Sequence, residues 1–179
     1  MTMGARFLRE VARAGLPVGP GPDDVVTDGD VRRLPEPAQR YLRFMRVVGR
    51  PRDWSFRLEF TGRFRTKPVP EVTWHSADAD AFDVALTDRG RTVTGRVTVD
   101  ERGAPRDFTT TDRFCADPDD PTRVTRARWT TPVTGWQPLD GRQLPVDGRA
   151  IWHLPQGPFT YAEFHPVPGS LVFNRAPGQ

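Results

Sequence analysis

Apolar positions along this chain follow two periods, and the change from one to the other falls near residue 50. Before it they recur at helical spacing: Phe7, Leu8, Val11 and Ala12 in one segment, then Leu34, Ala38, Tyr41, Leu42 and Met45 in a second. Gly15-Leu16-Pro17 stops the first segment. Pro35 and Pro37 suit the first turn of the second, and Gly49 followed by Pro51 is expected to end it. From Trp54 the period is two. Trp54, Phe56, Leu58, Phe60 and Phe64 alternate with polar residues, which reads as a half-buried strand with Gly62 as a bend.

The later strands pair by turn chemistry. With Arg89-Gly90 as a two-residue turn, Leu86 meets Val93, Val84 meets Gly95 and Phe82 meets Val97, while Asp83 meets Arg96 on the other face. Asp100 to Gly103 reads as the next turn, with a register left open by one residue because a glycine bulge would shift it. Further strands are expected around 107–114, 124–131 and 135–139, a hairpin at Asp140-Gly141, and a short last strand at 171–173. The segment Ile151 to Phe164 reads as a hairpin about Gln156-Gly157. That register sets Leu154 opposite Phe159, Trp152 opposite Tyr161 and Ala150 opposite Glu163, all on one face.

These elements imply an α+β fold: N-terminal helices packed on a curved, mainly antiparallel sheet, a meander resembling a partly open barrel. Its 179 residues fit a single domain, helical over 1–50 and sheet over 54–174. The 19 prolines and 16 glycines favour many brief strands over long helices.

Charge excludes more than it assigns. The formal net charge is +3, and the cations are arginines apart from Lys67. Around residues 83–107 arginines are interleaved with carboxylates, which suits a solvated face and not a nucleic-acid surface, so no nucleic-acid partner is expected. No run of about 20 apolar residues could span a membrane, and Met1 to Leu16 lacks a secretory apolar core. A soluble, cytoplasmic protein is the expectation. Cys115 is the only cysteine, so neither an internal disulfide nor a thiolate metal cluster can form.

No catalytic motif stands out. Glu163 and His165 lie two apart and would share a strand face, which on the hairpin register above is the aromatic one. They are the candidate acid–base pair, set against the simpler reading of a strand end closed by Pro166. His75, His153 and His165 have no tight ligand spacing, and neither a metal nor a cofactor is expected. The serines sit in no nucleophile elbow. The aromatic inventory remains, and Trp54, Phe56, Trp74, Trp129, Trp152 and Tyr161 are the candidate ligand-binding residues. Such a face either packs on the helices as core or lines a cavity for an apolar ligand.

Three segments carry a resemblance: Leu34-Pro35-Glu36-Pro37-Ala38-Gln39-Arg40-Tyr41-Leu42-Arg43, the Asp140-Gly141-Arg142-Gln143-Leu144-Pro145 turn, and Trp152-His153-Leu154-Pro155 continuing to Tyr161. They resemble an uncharacterised, high-GC (actinobacterial-type) bacterial family, a domain of unknown function, over about Val31 to Asn174. The resemblance implies no activity. It also implies that this chain is internally shortened, because Thr66-Lys67-Pro68-Val69-Pro70 stands where members carry a longer segment. The functional expectation is a non-enzymatic module binding an apolar small molecule or lipid. The alternatives are an enzyme using the Glu163–His165 pair in an aromatic pocket, and a shortened paralogue acting through protein–protein contact.

Overall fold

The computed structural model describes residues 3–13, 24–53, 56–57, 71–88, 90–117, 120, 122–139, 141–167 and 169–173. Three helices come first: α1 (Met3–Arg13), α2 (Asp28–Arg32) and α3 (Glu36–Phe44). The strands are β1 (Phe56–Arg57), β2 (Glu71–Asp78), β3 (Ala81–Asp88), β4 (Arg91–Val99), β5 (Pro105–Thr110), β6 (Phe114–Ala116) and β7 (Val124–Arg126). They continue as β8 (Arg128–Thr130), β9 (Val133–Thr134), β10 (Gln137–Leu139), β11 (Arg142–Leu144), β12 (Asp147–Leu154), β13 (Gly157–Phe164) and β14 (Val172–Phe173). The fold is α+β, as the two periods imply. Most of the expected strand at Trp54 lies outside the described residues, as does the Thr66–Pro70 junction.

One sheet organises the molecule. Its order is β13-β12-β8-β5-β4-β3-β2, with β9 also pairing β12, and it does not close into a barrel among the described strands. Three two-stranded pairs flank it: β1 with β14, β10 with β11, and β6 with β7. Every pairing is antiparallel. The β3–β4 register is the one expected, with Phe82 against Val97 and Asp83 against Arg96. The open question at the next turn resolves as a bulge: Val99 pairs Pro105 while Thr98 pairs Asp107.

Two local expectations are corrected. Helix α3 ends at Phe44, not near Gly49. Arg46 adopts a left-handed φ of 57°, Arg46 N donates to Arg43 O, and Val47 N donates to Leu42 O. That is a Schellman closure with arginine where glycine is usual. Helix α2 was not legible in the apolar pattern. A capping box builds it: Thr27 N donates to Asp30 Oδ2 at 2.9 Å, and Asp30 N donates to Thr27 Oγ1 at 3.2 Å.

The β12–β13 hairpin also differs from expectation. Its turn residues are Pro155-Gln156, since Leu154 pairs Gly157 and Trp152 pairs Phe159. Proline at the first central turn position favours that choice. The two-residue displacement keeps Tyr161 on the side of Trp152, and their ring centroids lie 6.2 Å apart. A bulge then intervenes, with Ala150 opposite Ala162 and Ile151 opposite Thr160. Beyond it the faces exchange, so Glu163 pairs Arg149 and points away from the aromatics.

Facing residues share a side of the sheet. Tracing the pairs from Trp74 through Val84, Phe82, Val97, Phe108, Trp129 and Trp152 gives one continuous aromatic face. Helix α3 packs on the β2–β4 end of it. There Ala38, Phe82 and Val99 are buried, with Leu34, Tyr41 and Trp74 against them. Phe82 contacts Tyr41 at 5.6 Å and Trp74 at 5.3 Å between centroids. Complete burial of one such side chain contributes about 1.5–3 kcal/mol.

Candidate functional site

Between α2, α3 and the sheet lies a cavity of about 470 Å³. Its apolar lining is Val26, Val31, Leu34, Leu42, Val47, Pro51 and Trp74. The local sequence explains their convergence. The capping box turns α2 so that Val31 faces inward, Leu34 follows in the link to α3, α3 presents Leu42, and the Schellman closure brings Val47 back to the same lining. Trp74 enters from β2, the sheet strand next to β3.

Four charged side chains join this lining: Asp30, Arg52, Asp53 and Arg142. Arg142, the first residue of β11, has a side chain only 6% exposed. Its Nη2 donates to both Asp53 carboxylate oxygens at 2.7 Å. Its guanidinium lies 4.8 Å from the Phe173 ring centroid, a cation–π contact. Nε and Nη1 are buried with no hydrogen-bond acceptor. Burial pushes the Asp53 carboxyl up despite the attraction of Arg142 and Arg50. Burial likewise lowers Arg142, against the pull of Asp53, and the like charge of Arg50 adds to that lowering. Arg50 is close because Gly141, at φ +75°, leaves room for it: a Cβ there would stand 2.1 Å from Arg50 Nη2. Arg52, which also lines the cavity, is engaged by Asp24 at 2.6 Å and Asp30 at 3.0 Å.

Of the four candidate aromatics whose side chains are described, Trp74 stands apart from the other three. Trp74 lines the cavity. Trp54 and the side chain of Phe56 lie outside the described residues, although the Phe56 backbone pairs Phe173. Trp129, Trp152 and Tyr161 form a separate group at the far end of the same face. There Trp129 Nε1 donates to Tyr161 Oη at 3.1 Å, and the exposed Arg113 stacks 4.1 Å from the Trp129 centroid.

Glu163 and His165 do come together, but on the opposite side of the sheet. With Asp147, Arg149, Thr134, Pro132 and Gly148 they line a recess of about 300 Å³. His165 Nδ1 lies 2.8 Å from Asp147 Oδ1, and both side chains are more than half exposed. The bulge at Tyr161 is why no aromatic pocket encloses the pair. No group of three metal-ligating side chains occurs among the described residues, and no helix there is long and apolar enough to cross a membrane.

Arg142 and Asp53 escaped the sequence reading. The Asp140-Gly141 dipeptide alone satisfies the turn signal, so the arginine after it carried no separate weight. The strand itself, Arg142-Gln143-Leu144, has a single apolar residue and so offers no alternation that would mark the arginine.

Comparison with known proteins agrees with the resemblance drawn from the sequence. No curated protein matches the chain, and neither does any solved structure. A family model, described as a family of unknown function (DUF6544), matches residues 24–71 and 69–164. The two matched parts meet at residues 69–71, beside the short junction, and together they take in both cavity helices, the main sheet and Arg142. The chain belongs to this family of unknown function, DUF6544.

Proposed function

We propose that the chain is a binding module for an apolar or lipid-like ligand, held in the cavity between the helices and the sheet. The observation that carries this reading is the cavity itself. Its volume lies within the range of small-molecule sites, and its walls are mostly apolar, joined by the charged Asp30, Arg52, Asp53 and Arg142. The meeting of the two family matches at residues 69–71 supports a companion reading, that a segment carried by other members between 66 and 70 is missing here.

Native mass spectrometry of the purified chain, together with titration of a fluorescent fatty-acid probe, tests the binding. Co-purified or titrated ligand is expected at one equivalent. Leu42→Trp, which fills the cavity from α3, should abolish it while the thermal transition is retained. A chain that arrives empty and takes up no probe overturns the reading.

A further inference from the structure

We propose that the ligand of this cavity is an amphiphile with an anionic head group, a carboxylate or phosphate monoester, received by Arg142 while its tail lies along the apolar lining; this rests on the binding reading above. The argument begins with unmet hydrogen bonding. A guanidinium has five N–H donors. Among the described residues Asp53 engages only Nη2, while Nε and Nη1 have neither an acceptor nor exposed surface, so a head group meets them as the side chains covering the guanidinium move aside. Leaving charged donors desolvated and unpaired is costly, so such groups in folded proteins ordinarily meet a partner. Phe173 stacks on the guanidinium face but accepts no conventional hydrogen bond from its edge.

The charge balance points the same way. Asp24 and Asp30 compensate Arg52. Around Arg142 two cations, Arg142 and Arg50, share one carboxylate, Asp53. Among the described residues the excess there is a single positive charge, in a cavity whose remaining lining is apolar apart from the mutually compensated Asp30 and Arg52. A monoanion supplies what is missing, and arginine recognises the planar or tetrahedral oxygens of carboxylate and phosphate well.

The test compares decanoate, decyl phosphate, decanol and decyltrimethylammonium by calorimetry on the full chain. At least one anionic probe should bind about tenfold or more tightly than decanol, in keeping with a charge-assisted hydrogen bond. The cationic probe should bind least. Which anion is tighter identifies the head group. Equal affinity of decanol and both anions overturns this proposal but leaves the binding reading intact; failure of all four probes overturns both.

Two variants separate recognition from folding. Arg142→Gln should remove the preference for anions over decanol. If that variant unfolds, Asp53→Asn decides the matter. Releasing Arg142 from its internal carboxylate should tighten the anionic probes several-fold and leave decanol unchanged. A purely structural arginine predicts no change in the anion-to-decanol ratio in Asp53→Asn, and that result would overturn the proposal.

Discussion

Gly103 lies against the Arg40 carbonyl, so close that a Cβ at residue 103 would stand 2.4 Å from both its carbon and its oxygen. Gly103 also holds φ at +87°. The contact fixes helix α3 on the β4–β5 turn, and Arg40 reciprocates through its guanidinium. Its Nη1 donates to Glu101 O at 3.1 Å and its Nη2 to Ala79 O. Gly103→Ala therefore meets a conformational penalty and a backbone clash together. A loss of about 2–4 kcal/mol is expected, read as a lower midpoint in urea unfolding at unchanged slope. A loss below about 0.5 kcal/mol would mean that α3 does not seat on this turn.

Asp112 gives the fold a pH dependence of definite sign. Its Oδ2 accepts from Thr94 N and Thr94 Oγ1, both at 2.8 Å, and its Oδ1 accepts from Arg126 Nη2 at 2.6 Å. These bonds, the backbone one foremost, hold its carboxyl below the usual range. A lowered folded-state pKa contributes stability that is present above the unfolded value of about 3.9 and is lost as pH falls through the folded value. Asp112→Asn should therefore be less stable than the parent at neutral pH. The gap should narrow steadily below about pH 4. A gap constant from pH 7 to pH 3 would contradict the assignment.

The Arg142–Asp53 pair predicts a reversal. Burial shifts both partners toward their neutral forms, so the pair is held at an electrostatic cost. Removing Asp53 alone as Asp53→Leu strands a buried guanidinium and should destabilise by about 3 kcal/mol or more. Replacing both residues with leucine should recover most of that loss. Thermal denaturation of the two singles and the double, treated as a mutant cycle, measures it. Additive losses would show that the two side chains are not coupled.

Glu163 and His165 should prove silent in the cavity. Each lies on the other side of the sheet, and the His165–Asp147 contact is solvent-exposed, where ion pairs contribute about 0–1 kcal/mol. Glu163→Gln and His165→Ala should change stability by no more than about 0.5 kcal/mol. Probe affinity should stay within about twofold, that is, about 0.4 kcal/mol. A larger change in affinity would connect the recess to ligand binding.

Much of the sheet could be read from side-chain alternation, because burial on one face enforces a period of two. The β3–β4 hairpin was legible on both faces at once: Phe82 with Val97 inside, and Asp83 with Arg96 bonded outside at 2.8 Å. The bulge at Tyr161 was not legible. Nothing local in Thr160-Tyr161-Ala162 marks an extra residue, and its effect, moving Glu163 to the other face, arises from pairing with Arg149. Helix α2 was invisible because five residues are too few for a periodic stripe; only its Thr27 and Asp30 cap carried the signal. Arg142 and Asp53 are 89 residues apart in sequence, and no pattern within a single element links them.

The position of β2 has a consequence for how the family varies. Glu71 opens the outermost described strand of the main sheet, and the two family matches meet at residues 69–71. Material added or lost at that seam borders a sheet margin, not its interior. A change of length at that seam falls next to the strand that carries Trp74 into the cavity, and leaves the pairing of β3 with β4 and of β4 with β5 where it is.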